Sequence, residues 1–237
     1  MPETPSSTGP LSALRLEERL RDTGFFLNQA LRTFNATGSV VPSSPALARA
    51  MAEHVRRRPD PEQPLRIMEA GAGTGAITRG IAEAMGPGDT VDLVESNVEF
   101  ATHLEQLLAT DPQLAPVADR ASVHAELVHE MGTDRTYDVI ISGLPFANFT
   151  AEDVKGILQY YFEVLEPGGY LSFYGYLYTK EVKAVIARRA DYLRQARTSW
   201  VVREWIDRYG VRSDKVFANV PPAFVHHLRK PVGGSSS

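Results

Sequence analysis

The stretch Ile67-Met68-Glu69-Ala70-Gly71-Ala72-Gly73-Thr74-Gly75-Ala76 constrains this chain more than any other. It reads as a short buried strand that runs into a glycine-rich turn and then opens a helix at Ile77. Glycines at alternating positions let the backbone turn tightly and approach a ligand, because no β-carbon stands in the way. Amides at the start of the following helix are free to meet polar ligand atoms.

Such a turn serves more than one ligand. Gly71-x-Gly73-x-x-Ala76 also fits the dinucleotide fingerprint, in which an acid follows about 20 residues on. Glu69, two residues before the first glycine, separates the two readings. A carboxylate there can face a ligand's ammonium group or organise the loop, and it repels a pyrophosphate. An acid followed by G-x-G-x-G resembles the first motif of class I methyltransferases. That resemblance implies S-adenosylmethionine as cofactor, bound at Glu69, Ala70, Gly71, Gly73 and Gly75.

The 237 residues suit one α/β domain with an appendage. Hydrophobic content of 43% and charged content of 23% are ordinary for a soluble globular protein, and the net charge of -4 argues against one coated in nucleic acid. Without cysteine the chain has no disulfide and no thiol nucleophile. His124, His129, His226 and His227 form no metal-ligand spacing with nearby acids, so no metal is expected. No apolar run approaches the roughly 18 residues of a membrane span. Met1-Pro2-Glu3-Thr4-Pro5 lacks the features of a secretory signal. A cytoplasmic protein is expected, with any membrane contact peripheral.

Residues 1–10 and the tail 231–237, rich in Pro, Gly and Ser, are expected to be disordered. Residues 11–60 read as a helical lid or membrane-contact segment, and 61–230 as the main domain. Within the first, Leu16, Leu20, Leu27, Leu31 and Phe34 recur along one face of a helix over Leu11 to Phe34, flanked by Arg15, Arg19, Arg21 and Arg32. A basic amphipathic helix with the aromatic pair Phe25-Phe26 suits an anionic membrane surface, and it suits packing on the domain equally. After a turn, Ser44 as N-cap and Pro45 at the first helical position start a second helix through Leu47, Met51 and Val55 to Arg56-Arg57-Arg58. Three arginines at a helix end complement its dipole or meet anionic lipid.

From Leu65 strands and helices alternate, which predicts a parallel sheet covered on both faces. Strands are expected at Leu65 to Glu69, Thr90 to Glu95, Ala121 to Ala125, Tyr137 to Ser142 and Gly169 to Tyr176. Helices are expected at Ala76 to Met85, Val98 to Leu108, Ala151 to Leu165 and Lys180 to Arg189, the third opened by a capping box, Thr150-x-x-Asp153. Ser199 to Ile206 and Ala223 to Leu228 then read as an antiparallel pair. The predicted class is α/β, a Rossmann-like seven-stranded, mostly parallel sheet, and that terminal pair is the class I methyltransferase arrangement.

Glu95 ends the second strand, where a carboxylate can accept bonds from ribose hydroxyls, with Ser96 beside it. Glu126 follows the third strand, where the resembled family often carries an acid facing the adenine amino group. Ser142, Gly143, Leu144, Pro145 and Phe146 stand at the carboxyl end of the fourth strand, where ligands bind in open α/β sheets. In DNA and RNA amino-methyltransferases this slot usually reads N-P-P-[YF] or N-L-P-[YF], and here Gly143 replaces the Asn. The run Ser142-Gly143-Leu144-Pro145-Phe146 instead resembles the bacterial phospholipid N-methyltransferases, relatives of the rRNA adenine dimethylases. So do Gly38-Ser39-Val40-Val41-Pro42-Ser43-Ser44, Leu165-Glu166-Pro167-Gly168-Gly169 and Asn219-Val220-Pro221-Pro222-Ala223.

That resemblance implies an enzyme at the inner face of the cytoplasmic membrane that moves methyl groups from S-adenosylmethionine to the amine of a lipid headgroup. Phosphatidylethanolamine and ornithine lipids are the substrates it implies. No nucleic acid is expected as partner. A desolvated pocket lowers the pKa of an ammonium, and aromatic faces tolerate the methylated cation that forms. Phe146, Tyr174, Tyr176 and Tyr178 are candidates for its lining, with Tyr174 and Tyr176 sharing a strand face nearest the reacting amine. An RNA or small-molecule N-methyltransferase and a non-catalytic membrane adaptor on the same fold are the alternatives. Gly143 and the acidic total count against the first, and the intact glycine turn with its two acids counts against the second.

Overall fold

The computed structural model describes residues 43–176 and 189–233, all within one compact unit of the chain. The expected helices over Leu11 to Phe34 and Lys180 to Arg189, apart from the last residue of the second, lie outside the described residues. So does Tyr178.

Ser44 caps the first described helix, α1 (Pro45–Met51), its side chain accepting from the Leu47 amide at 3.2 Å with Pro45 at the first position. The expected single helix to Arg58 is two short ones, because the backbone leaves helical geometry at Ala52 before α2 (Glu53–Arg56). Leu47, Met51, Ala52 and Val55 are fully buried in the central core, so this part of the 11–60 segment packs into the domain. Helix α3 (Ala76–Ala84) crosses α1 closely: a β-carbon at Gly80 would lie 2.7 Å from that of Ala48.

The parallel strands fall within a few residues of expectation: β1 (Arg66–Ala70), β2 (Thr90–Val94), β3 (Ala121–His124), β4 (Tyr137–Ser142) and β5 (Leu165–Tyr176). Helices α4 (Val98–Thr110) and α5 (Ala151–Val164) follow β2 and β4, and Thr150 and Asp153 form the expected reciprocal cap. A second expectation fails. Ser199 to Ile206 lies inside a long helix, α6 (Arg189–Tyr209). Val201, Val202 and the tryptophans suggest a strand, but Thr198, Val201, Trp205 and Tyr209 recur at three and four residues. Trp205 and Tyr209 pack on Phe162 of α5 at ring distances of 4.8 and 4.5 Å. Tertiary packing of that stripe overrides the β propensity of its residues. The antiparallel partner of β7 (Ala223–Arg229) is instead β6 (Gly210–Val216).

The seven strands order as β3-β2-β1-β4-β5-β7-β6, parallel through β5, with β7 antiparallel to both neighbours. The order reverses between β1 and β4, which makes the crevice beyond their carboxyl ends the natural ligand site. Two of the motifs singled out in the sequence meet near it: Asn219, buried, accepts from the Ser44 amide at 3.0 Å and donates to the Pro221 carbonyl at 2.8 Å.

Candidate active site

The loop after β1 is bare backbone. Gly71, Gly73 and Gly75 take φ of +74°, +54° and +76°, a region that favours glycine. A β-carbon at Gly71 would lie 2.6 Å from Leu144 Cδ2, whereas one at Gly73 would meet nothing within 4 Å. The loop is therefore packed on one side and open on the other. The loop after β4 locks against it, the Gly143 amide donating to the Ala70 carbonyl at 2.8 Å. A β-carbon at Gly143 would stand 2.7 Å from the Gly71 carbonyl oxygen.

Two buried carboxyls frame this loop. Glu95 accepts from the Gly73 amide at 2.9 Å and the Asn97 amide at 2.8 Å, one bond on each oxygen. Burial raises its pKa while these amides pull it down. Each oxygen retains acceptor capacity, which suits a ribose diol. Glu69 is fully buried, and one oxygen accepts from the Thr78 hydroxyl at 2.7 Å while Oε1 has no partner. Burial lifts its pKa to about 8. An orphaned buried carboxyl oxygen beside an open glycine loop fits a ligand that brings a cationic N–H donor. The residues present therefore fit S-adenosylmethionine.

The other expected residues divide. Ala70 is buried at the end of β1 and Ser96 half-buried after Glu95. Glu126 is half-buried with a carboxylate oxygen 3.7 Å from His124 Nδ1, and His124 Nε2 in turn lies 2.9 Å from Asp92. Ser142 is fully buried and its hydroxyl accepts from the Tyr161 hydroxyl at 3.1 Å, which ties it to α5. Leu144 is buried against Gly71, and Pro145 is half-buried. Tyr174 and Tyr176 share a face with ring centroids 5.4 Å apart. Phe146 is buried against Phe173, at 5.3 Å, on the other face of β5. The structure thus joins the two tyrosines and sets Phe146 apart from them. Thr78 and Asn97 are positioning residues that motif reading misses. Thr78 was findable, since it stands one turn into the helix that the glycine turn opens.

Glu69 gives a pH-dependent expectation. A cationic ligand that requires ionised Glu69 binds with release of one proton below the raised pKa, so affinity rises with pH, by up to about tenfold per unit. Below pH of about 7.5 the ligand's own amino group, with a pKa near 7.7–8.0, stays charged. The affinity for S-adenosylhomocysteine, measured calorimetrically from pH 6 to 7.5, is expected to climb in the native protein. In Glu69→Gln it is expected to be at least tenfold weaker and flat with pH.

Residues 68–171 match the family described as "Methyltransferase domain". A curated relative, ornithine lipid N-methyltransferase of Singulisphaera acidiphila, is 28% identical over 151 residues, spanning 63% of this chain and 76% of the relative. Among solved structures, the O-methyltransferase from Bacillus cereus in complex with SAH aligns with a TM-score of 0.59 at 15% identity, over 86% of this chain and 90% of that one. The O-methyltransferase TomG from Streptomyces achromogenes in complex with SAM aligns at 0.57 and 14%, over 86% and 89%. The match over residues 68–171 is to a methyltransferase domain, and the chain has the class I, Rossmann-like fold of these solved methyltransferases.

Proposed function

We propose that this protein is an N-methyltransferase that acts on the amine headgroup of a membrane lipid, phosphatidylethanolamine and its methylated derivatives or an ornithine lipid. The observation that carries the reading is the closed slot at Gly143. Amino-methyltransferases of nucleic-acid bases use an Asn there, and the Gly71 carbonyl leaves no room for its β-carbon here. The likeness to an ornithine lipid N-methyltransferase supports the same reading.

When bound, S-adenosylmethionine supplies an electrophilic methyl group for an in-line displacement. This chain's residues then hold and orient the groups that react, and no covalent nucleophile is needed. Glu69, Gly71, Gly73 and Glu95 would hold the cofactor, with Glu126 toward its base. The substrate amine must reach the site neutral, which a desolvated, aromatic-lined pocket promotes. Tyr174 and Tyr176 are the candidates nearest that amine, their π faces tolerating the methylated product. Residues 11–34 would lie in the anionic interface at the inner face of the cytoplasmic membrane. Among the described residues no helix is long and apolar enough to cross a membrane.

The test is expression in a host that makes phosphatidylethanolamine and ornithine lipid but methylates neither, with the lipid extract read by mass. Steps of one to three methyl groups on one lipid class are expected. An unmethylated extract from cells holding folded, cofactor-binding protein would overturn the lipid reading and favour an RNA or small-molecule amine.

A further inference from the structure

The end of the sheet opposite the glycine loop carries a feature that methyl transfer does not use. Where α6 gives way to β6, and where β7 runs out into Lys230 and Val232, a cavity of about 280 Å³ opens. Arg208, Arg229 and Lys230 line it together with Tyr209, Val211 and Val232. It adjoins the start of β5, since Arg229 pairs with Tyr170 in the sheet register and its Nε donates to the Gly168 carbonyl at 3.1 Å.

Among the described residues no carboxylate lies within ion-pair distance of any of the three cations. Lys230 is largely spent, its ammonium donating to the Leu165 carbonyl at 2.6 Å and the Glu163 carbonyl at 3.3 Å at the end of α5. Among the described residues Arg229 donates through Nε alone, with its guanidinium 5.3 Å from the Tyr170 ring. Arg208 sits 5.1 Å from the Tyr209 ring and donates no hydrogen bond among the described residues. Two guanidinium forks therefore face one cavity with donors to spare. The carboxyl ends of α5 and α6 contribute about half a negative charge each, which offsets about one of the three positive charges. An excess of positive charge remains.

We propose that this cavity binds a phosphate-type oxyanion, as inorganic phosphate or a soluble phosphate monoester. Planar guanidinium forks match phosphate oxygens two at a time, which a single ammonium does not. Val211 and Val232, exposed at 54% and 66%, flank the cations with apolar surface that an organic ester can cover. A lipid phosphate offers the same chemistry. The cavity, however, lies at the start of β5 and the glycine loop beyond the other end of the sheet, about 20 Å away at about 3.3 Å per residue. A bilayer feeding lipid to the glycine-loop end does not readily reach it, so the soluble anion is the expected source. The proposal stands whether or not the methylated substrate is a lipid.

The test uses the full chain at low ionic strength, where charge pairing is least screened. Inorganic phosphate is titrated calorimetrically into the native protein, Arg208→Gln and Arg229→Gln. The unfolding midpoint and the affinity for S-adenosylhomocysteine serve as controls. Saturable binding is expected in the native protein and at least tenfold weaker binding in each variant, with both controls unchanged for Arg208→Gln. Arg208→Lys, which keeps the charge but loses the fork, is expected to recover only part of the affinity. No saturable phosphate binding in the native protein, or binding that survives both substitutions, would overturn the proposal. In parallel, sedimentation with phosphatidylcholine vesicles with and without phosphatidylglycerol is expected to be the same for the native protein and both variants. Loss of phosphatidylglycerol-dependent binding in both would overturn the soluble source and assign the site to a lipid headgroup.

Discussion

Arg58→Ala is expected to lower the free energy of unfolding by about 3–5 kcal/mol, the scale on which breaking one partner of a buried ion pair destabilises a protein. Arg58 and Asp89 side chains are 6% and 0% exposed, and the guanidinium meets both carboxylate oxygens at 2.6 Å. Arg58 also donates to the Val55 and Ala84 carbonyls, so one side chain ties the end of α2 to the end of α3. Asp89 accepts in addition from the Leu65 and Gly86 amides, at 2.8 and 2.7 Å. The pair thus fixes the segments that lead into β1 and β2. Without Arg58 the carboxylate keeps two amide donors but stays buried without a counter-charge, and water cannot reach it without opening the packing. Urea unfolding measures the loss. Arg58→Lys should recover part of it, because a point charge replaces one of two parallel hydrogen bonds. A loss under about 1 kcal/mol would mean that the pair behaves as an exposed one.

That pair also shows why sequence leaves parts of the structure unread. Arg56-Arg57-Arg58 looks like one feature, yet its members part company: Arg56 and Arg57 reach Glu53, while Arg58 reaches an aspartate 31 residues away. Local spacing carries the first kind of contact and says nothing of the second. The same distinction governs the fold. The five parallel strands were legible because each is a short buried run bounded by turn residues, and the capping box at Thr150 because its two partners are three residues apart. Helix α6 was not, because Val201, Val202 and Trp205 carry β propensity. Only Phe162, far away in sequence, shows which face they pack. At the site, the glycines and both acids could be named, since the loop's conformation depends on residues within it. That Ser142 is tied to Tyr161, and that Phe146 joins Phe173 and not the two tyrosines, depends on which faces of α5 and β5 come together.

Gly143→Asn is expected to weaken binding of S-adenosylhomocysteine about a hundredfold, near 3 kcal/mol, while leaving the chain folded. The new β-carbon would stand 2.7 Å from the Gly71 carbonyl oxygen and 3.5 Å from that of Ala70. These are backbone atoms, so no rotamer change relieves the contact, and either the loop from Gly71 to Gly75 shifts or the loop after β4 does. A shift of the loop after β4 disturbs the hydrogen bond from Gly143 to Ala70, and a shift of the glycine loop disturbs the bond from Gly73 to Glu95. Leu144 also packs close to Gly71, where an added β-carbon would lie 2.6 Å from its Cδ2. Gly143→Ala meets the same β-carbon contact without the amide and should lose a comparable factor, which separates steric closure from side-chain chemistry. The contrast bears on function as well as on packing. In an enzyme built to hold a base through an Asn at this position, restoring the Asn would preserve cofactor affinity and add affinity for an adenine-bearing substrate. Calorimetry on the two variants, with adenosine as a probe for the second effect, decides between these outcomes. Tight cofactor binding together with new adenosine binding in Gly143→Asn would mean that the slot opens readily, and the lipid reading would then lose its main support.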